Sequence, residues 1–154
     1  MDTATAIAAS ARANGLSGLE QLRALIASGK RTGIAMALDF DLAEVDEGHA
    51  LFIGTPGLHA YNPIGTVHGG YAAALLDSAC GCAVHSRLRP EQMYTTLELK
   101  VAYHKAITDE SGQLRAEGRV VSLGRRAAFA EATLKDAAGR LFASATSTLL
   151  VIES

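Results

Sequence analysis

The sequence predicts an α+β domain in which six antiparallel strands wrap around one long central helix, with a short helix before it. Three observations carry this reading. Residues 71–84 have helical composition and a single ionisable carboxylate, Asp77, so this helix must be covered on most of its sides. The segments before and after it alternate between apolar and polar residues with period two. The later segments are joined by short turns, which makes sequential strands antiparallel neighbours. A curved sheet around the helix is the economical way to satisfy all three.

Composition bounds the function classes. The 154 residues suffice for one domain with a sizeable core, and 49% hydrophobic with 19% charged residues is a globular balance. A net charge of -2 gives no sign of a nucleic-acid partner, and the sequence contains no uninterrupted apolar run of membrane-spanning length. The apolar piece Ala6-Ile7-Ala8-Ala9 is too short for a signal-peptide core, and Asp2 stands where positive charge is expected, so the reading is cytoplasmic. Cys80 and Cys82 lie two apart on the helix, which excludes a CxxC pair and reads as two small buried hydrophobes. His49, His59 and His104 show no ligand spacing, so no metal is expected, and His85 reads as a favourable charge at the helix C-terminus.

Taken in order, residues 1–15 are small and polar without clear periodicity and read as a loose tail. Leu19, Leu22, Leu25 and Ile26 then recur at helical spacing, with Ser17 as cap and Gly29 as stop. Residues 1–31 thus form an N-terminal tail and short helix, and residues 32–154 the domain proper. Ile34, Met36, Leu38, Phe40 and Leu42 alternate as a first strand, and Asp46-Glu47-Gly48 turns into a second over residues 49–54. After the helix, Arg87-Leu88-Arg89-Pro90 leads to a strand that places Thr95, Leu97, Leu99, Val101 and Tyr103 on one face. Thr96, Glu98, Lys100 and His104 fall on the other. Strands over 113–120, 128–135 and 141–151 follow, separated by turns at Gly124 and at residues 136–139.

The residues leading into the helix make the pattern specific. Asn62, then His68-Gly69-Gly70, then Asp77 eight residues after Gly69, together with Gly124-Arg125-Arg126 and Asp136-xx-Gly139-xx-Phe142-Ala143, resemble the PaaI-like branch of the hot dog fold thioesterases over residues 32–151. The resemblance implies hydrolysis of a coenzyme A thioester, with an aromatic or short- to medium-chain acyl group. It requires no separate cofactor, because coenzyme A is part of the substrate. Asp77 matches the catalytic carboxylate, as nucleophile or as general base. Gly69 matches the glycine whose N–H polarises the thioester carbonyl, and Asn62 and His68 match polar residues lining that carbonyl site. Thr95 falls where a hydroxyl helps position the carboxylate or water, with Thr96 the alternative if the register slips by one. Contacts to the substrate and its coenzyme A arm fall on Gly70, Thr96, His104 and Lys105, and on Ser122, Gly124, Arg125 and Arg126. One departure is visible: a subgroup with glutamate at the Asp77 position carries threonine four residues later, where this chain has Gly81.

Physical chemistry supports the same residues. A glycine-rich helix N-terminus offers free N–H groups and the positive end of the dipole to an oxyanion. Asp77 lies about 12 Å further along the axis at roughly 1.5 Å per residue, so one carbonyl cannot touch both groups of one chain. Two helices antiparallel across a two-fold axis bring Gly69 of one subunit to Asp77 of the other. The spacing therefore predicts a homodimer with composite sites, and the family favours homotetramers. Against this stand a non-catalytic acyl-CoA binder or sensor on the same fold, and purely structural roles: Asp77 as a buried hydrogen-bond acceptor, and the glycines as a tight turn. A dehydratase is disfavoured by the absence of a His-Phe-Pro loop. The acyl pocket is expected among residues 56–61, Tyr71 and Leu75 or Leu76.

Overall fold

The structure, a computed structural model, describes residues 3–153. Three helices come first: α1 (Thr3–Ala13), α2 (Gly18–Ser28) and α3 (Gly33–Leu38). Strands β1 (Phe40–Asp46) and β2 (His49–Gly54) precede the central helix α4 (Gly69–His85). Strands β3 (Gln92–Tyr103), β4 (Leu114–Leu123), β5 (Ala127–Asp136) and β6 (Leu141–Glu153) complete a six-stranded sheet of order β1-β2-β4-β5-β6-β3. All pairings are antiparallel, and α4 packs against every strand. This is the expected α+β hot dog arrangement. No helix among the described residues is long and apolar enough to cross a membrane.

Sequence explains why α4 sits so deep. Ala72, Leu75, Leu76, Ala79, Cys80 and Ala83 are wholly buried. Small residues let the backbones approach: a Cβ on Gly118 of β4 would lie 2.3 Å from the Ala79 carbonyl oxygen. The β5–β6 turn is tied by Asp136, which accepts from the backbone N–H groups of Ala138 and Arg140 at 3.0 and 2.9 Å. Gly139 there has φ +82°, which suits glycine. Phe142 and Ala143 follow directly into the core.

Two expectations at the N-terminal end are corrected. Residues 3–13 form a helix rather than a loose tail, because an alanine-rich run has high helical propensity and Ala4 and Ala11, two turns apart, bury against neighbours. The alternation starting at Ile34 is not a strand. Residues 33–38 form α3, closed by Asp39 in the left-handed region at φ 54°, whose N–H donates to the Ala35 carbonyl. Six residues are too few for period two and period 3.6 to diverge. By contrast α2 has the expected limits, with a capping box between Ser17 and Glu20 and Gly29 left-handed at its end.

The start of α2 wedges against the end of α4. A Cβ on Gly18 would overlap the His85 carbonyl oxygen at 1.8 Å. His85 Nε2 lies 3.1 Å from Gln21 Oε1, an atom that can only accept, so the ring nitrogen carries the proton. Burial, reinforced by the nearby Arg12 charge, pushes the His85 pKa down to about 4. His85 is thus a neutral packing group and not the terminal charge expected. An unfolded histidine titrates near 6.5, so between pH 6.5 and 4 the unfolded chain binds the extra proton and stability falls with pH, by on the order of 3 kcal/mol. An NMR titration of His85 should show no transition above pH 5, and His85→Gln should flatten the acid limb of the stability curve; a midpoint near 6.5 would contradict the assignment.

Candidate active site

The loop before α4 is built by Asn62. Its Oδ1 accepts from the N–H groups of Ile64 (3.1 Å) and Thr66 (3.2 Å), and its Nδ2 donates to Thr66 Oγ1 at 2.9 Å. The side chain organises the loop rather than presenting a free amide. His68 then caps the helix, with Nδ1 accepting from the Gly70 N–H at 2.8 Å. That bond fixes the neutral tautomer with the proton on Nε2. The Gly69 N–H, which has no intrahelical acceptor, is left as the unclaimed amide of the first turn. Tyr103 at the end of β3 donates its hydroxyl to the Gly69 carbonyl at 2.7 Å and presses its ring on the glycine, where a Cβ would meet it at 3.0 Å. Gly69 is required by this close approach and not by a positive φ.

These groups line one cavity of about 360 Å³, whose walls include Asn62, His68, Gly69, Tyr103, His104 and Lys105. His104 Nε2 is engaged with Ser144 Oγ at 2.8 Å, and the Lys105 ammonium lies 5.9 Å from the Phe142 ring centroid.

Asp77 is elsewhere. Two turns along α4 it lines a second cavity of about 300 Å³, where Thr96 donates its hydroxyl to Asp77 Oδ1 at 3.0 Å. The second carboxylate oxygen has no partner among the described residues. Thr95, expected beside the carboxylate, is exposed on the opposite face. The physical reason is a β-bulge between Thr96 and Glu98. The inner face is Tyr94 and Thr96 before the bulge and Leu99 and Val101 after it, while Leu97 is turned out and 61% exposed. A strict period-two reading joined the two halves in the wrong phase.

The lining of the Asp77 cavity also differs from expectation. Leu25 and Ile26 of α2, Ala35 of α3, Phe40 and Phe52 form its apolar wall. Tyr71, Leu75 and Leu76 are buried in the core and do not line it, and neither do residues 56–61. Burial pushes the Cys80 and Cys82 thiols up to about 12, with Asp77 adding to the shift, so both are inert at neutral pH. A larger groove of about 600 Å³ runs over the outer sheet face between Lys100, Glu117, Arg119 and Glu131, but no helix residue reaches it.

The remaining expected contacts are spread apart. Gly124, Arg125 and Arg126 form the exposed β4–β5 turn, Ser122 is exposed just before it, and Gly70 is exposed at the helix start. Arg126 lies at the level of Val151, which pairs with Tyr94, whereas Lys105 follows Tyr103 at the far end of β3. Nine strand residues, about 30 Å, separate those ends, so the three cations do not meet within one chain.

Comparison with known proteins gives this geometry a context. The sequence profile of the thioesterase superfamily matches residues 64–143. The proofreading thioesterase EntH of Cronobacter sakazakii is 30% identical over 80 residues, 52% of this chain and 57% of its own length, so the match spans little more than half of that relative. A thioesterase family protein of Silicibacter pomeroyi is similar in structure, with TM-score 0.75 and 26% identity over 84% of this chain and 96% of its own. The E. coli PaaI protein of the phenylacetic acid degradation operon shares the fold, with TM-score 0.74 and 20% identity over 84% and 91% of the two chains. Thiol alkylation gives an independent check on the site's chemistry. Neither cysteine of the folded protein should react with iodoacetamide at pH 7.5 within an hour, and both should react in denaturant; rapid labelling of the native protein would contradict an apolar surround.

Proposed function

The chain belongs to the thioesterase superfamily, and from that premise we propose that it hydrolyses an acyl-CoA thioester to the free acid and coenzyme A. The observation that carries this reading is the division of one helix into two half-sites. The Gly69 N–H and His68 stand at the helix N-terminus, and Asp77, held by Thr96, stands about 12 Å along it. Each cavity has half of what the reaction needs. An amide at the positive end of a helix dipole polarises a carbonyl and holds the oxyanion. A carboxylate with one oxygen fixed and the other free attacks the carbonyl carbon or takes a proton from the water that does. Collapse of the tetrahedral intermediate breaks the C–S bond and releases the thiolate of coenzyme A. Where water attacked, the free acid forms at once; where the carboxylate attacked, a water then cleaves the acyl–Asp77 anhydride to give the free acid and restore the carboxylate.

A homodimer joins the halves. Strand β3 is an edge strand twelve residues long, with one row of backbone groups unpaired in the single chain. Antiparallel pairing of two β3 edges about a two-fold axis runs the two α4 helices in opposite directions, so that Gly69 of one subunit faces Asp77 of the other. The same operation carries Lys105 of the partner subunit toward the end of the sheet that holds Arg125 and Arg126, where a phosphate-rich coenzyme A arm fits. Pairing of dimers into a tetramer belongs to the same reading.

Asp77→Asn should abolish thiol release from a reactive acyl-CoA, by a factor of 10³ or more on the order of magnitude seen for acid–base and nucleophilic groups, with the dimer intact. Thr96→Val should lower kcat by about tenfold through loss of one hydrogen bond to a charged group, whereas Thr95→Val should leave it unchanged. Full turnover in Asp77→Asn would overturn the assignment, and binding of acyl-CoA with no thiol release in the native protein would move the reading to a non-catalytic acyl-CoA binder.

A further inference from the structure

The Asp77 cavity contains a polar group that the proposed reaction does not use. Tyr94 sits on the inner face of β3, two residues before Thr96, and lines the cavity with Cys82 and Phe52. Its ring packs edge-on against His85, with centroids 5.7 Å apart. Its hydroxyl has no hydrogen-bond partner among the described residues. Burial, with Cys82 and Asp77 nearby, holds its pKa well above the usual phenol value, so it is a neutral donor. The hydroxyl of Tyr71 is also unpartnered, but it is sealed in the core against Gly54 and lines no part of this cavity.

Gly81 explains how the Tyr94 phenol gains its place. A Cβ on Gly81 would lie 2.7 Å from the Tyr94 hydroxyl, so any side chain at this position of α4 would displace it. The departure seen in the sequence four residues after Asp77 therefore has a structural counterpart on the facing strand. Two backbone rises set the scale of the separation between the Tyr94–Gly81 contact and the Asp77–Thr96 pair. Four helical residues from Asp77 to Gly81 span about 6 Å, and two strand residues from Thr96 to Tyr94 span about 7 Å.

We infer that the Tyr94 hydroxyl, in the space left by Gly81, is a specificity determinant that hydrogen-bonds an oxygen on the acyl group about 6 Å beyond the thioester carbon. The inference rests on the thioesterase reading for its placement of that carbon at Asp77. A cavity of about 300 Å³ is at the small end of ligand sites, so the acyl group it takes is one ring or a short chain. Its apolar wall accepts a ring, and the Tyr94 hydroxyl, set beside Gly81 away from Ser78 next to the carboxylate, distinguishes an oxygenated acyl group from a hydrocarbon of the same size. A site with a buried donor rejects the analogue that leaves the donor unpaired, whereas an apolar wall alone discriminates weakly.

The test compares 4-hydroxybenzoyl-CoA with 4-methylbenzoyl-CoA, which matches it in shape and lacks the oxygen, on the native protein and on Tyr94→Phe. Two quantities are read: kcat/KM from thiol release, and Kd of the non-hydrolysable thioether analogues by calorimetry. The native protein should favour the hydroxyl compound by about tenfold or more in both, and Tyr94→Phe should bring both ratios close to one. No preference in the native protein, or the same preference in both proteins, overturns the inference. Absence of thiol release with a Tyr94-dependent Kd ratio would instead overturn the hydrolase reading and leave the Tyr94 contact standing.

Discussion

The structure depends on the rigidity of α4. A helix buried against all six strands cannot bend or slide, so the rise between Gly69 and Asp77 is a fixed length of about 12 Å. Two hydrogen bonds from β3 pin that length at its ends: Tyr103 to the Gly69 carbonyl, and Thr96 to the Asp77 carboxylate. The amide that can hold an oxyanion and the carboxylate that can attack are thus held rigidly, and held apart. Both pinning residues lie on the edge strand, so an interface formed through that edge is positioned by the same bonds that position the chemistry.

This separation gives a physical reason for sharing the site between subunits. A pocket closed within one chain would need the helix N-terminus and the carboxylate on different elements. Here both come from one helix, and in the proposed homodimer a two-fold axis supplies the second helix. The cost is that neither half-site is complete in a single chain. The benefit of the proposed assembly is geometric: two rigid bodies meeting along a strand edge would hold the groups with less freedom than a loop would allow.

Much of this was legible in the sequence, for particular reasons. An apolar helix with one carboxylate is unusual enough to mark both the core and Asp77, and the His68-Gly69-Gly70 loop put the helix start near Gly69, where α4 begins. What was not legible came from places where local pattern and tertiary structure part. The bulge at Leu97 reverses the phase of β3 in mid-strand, so Thr95 and Thr96 exchange faces with no change in composition. Residues 33–38 alternate like a strand but close as one short helix. The wall that α2 and α3 give to the Asp77 cavity depends on a long-range approach that no local signal encodes. The same holds for Gly81 and Tyr94, thirteen residues apart in sequence and in contact across the helix–sheet boundary.

The shared site makes a claim that single variants cannot test, and subunit mixing can. Gly69→Pro removes the N–H at a helix position whose backbone suits proline, and His68 before it already has the extended backbone that precedes proline. Its Cβ also presses the Tyr103 ring aside, a second defect confined to the same half-site. Asp77→Asn removes the carboxylate. Each variant alone should be inactive, because every site in its homodimer carries the defect. Co-refolded in equal amounts, half of the dimers are mixed, and in each of these one site carries both defects and the other none. The mixture should recover about a quarter of native activity if the site is built across the two-fold axis. No recovery from a mixture shown to contain heterodimers would contradict the account, because it would place Gly69 and Asp77 at the same site within one chain.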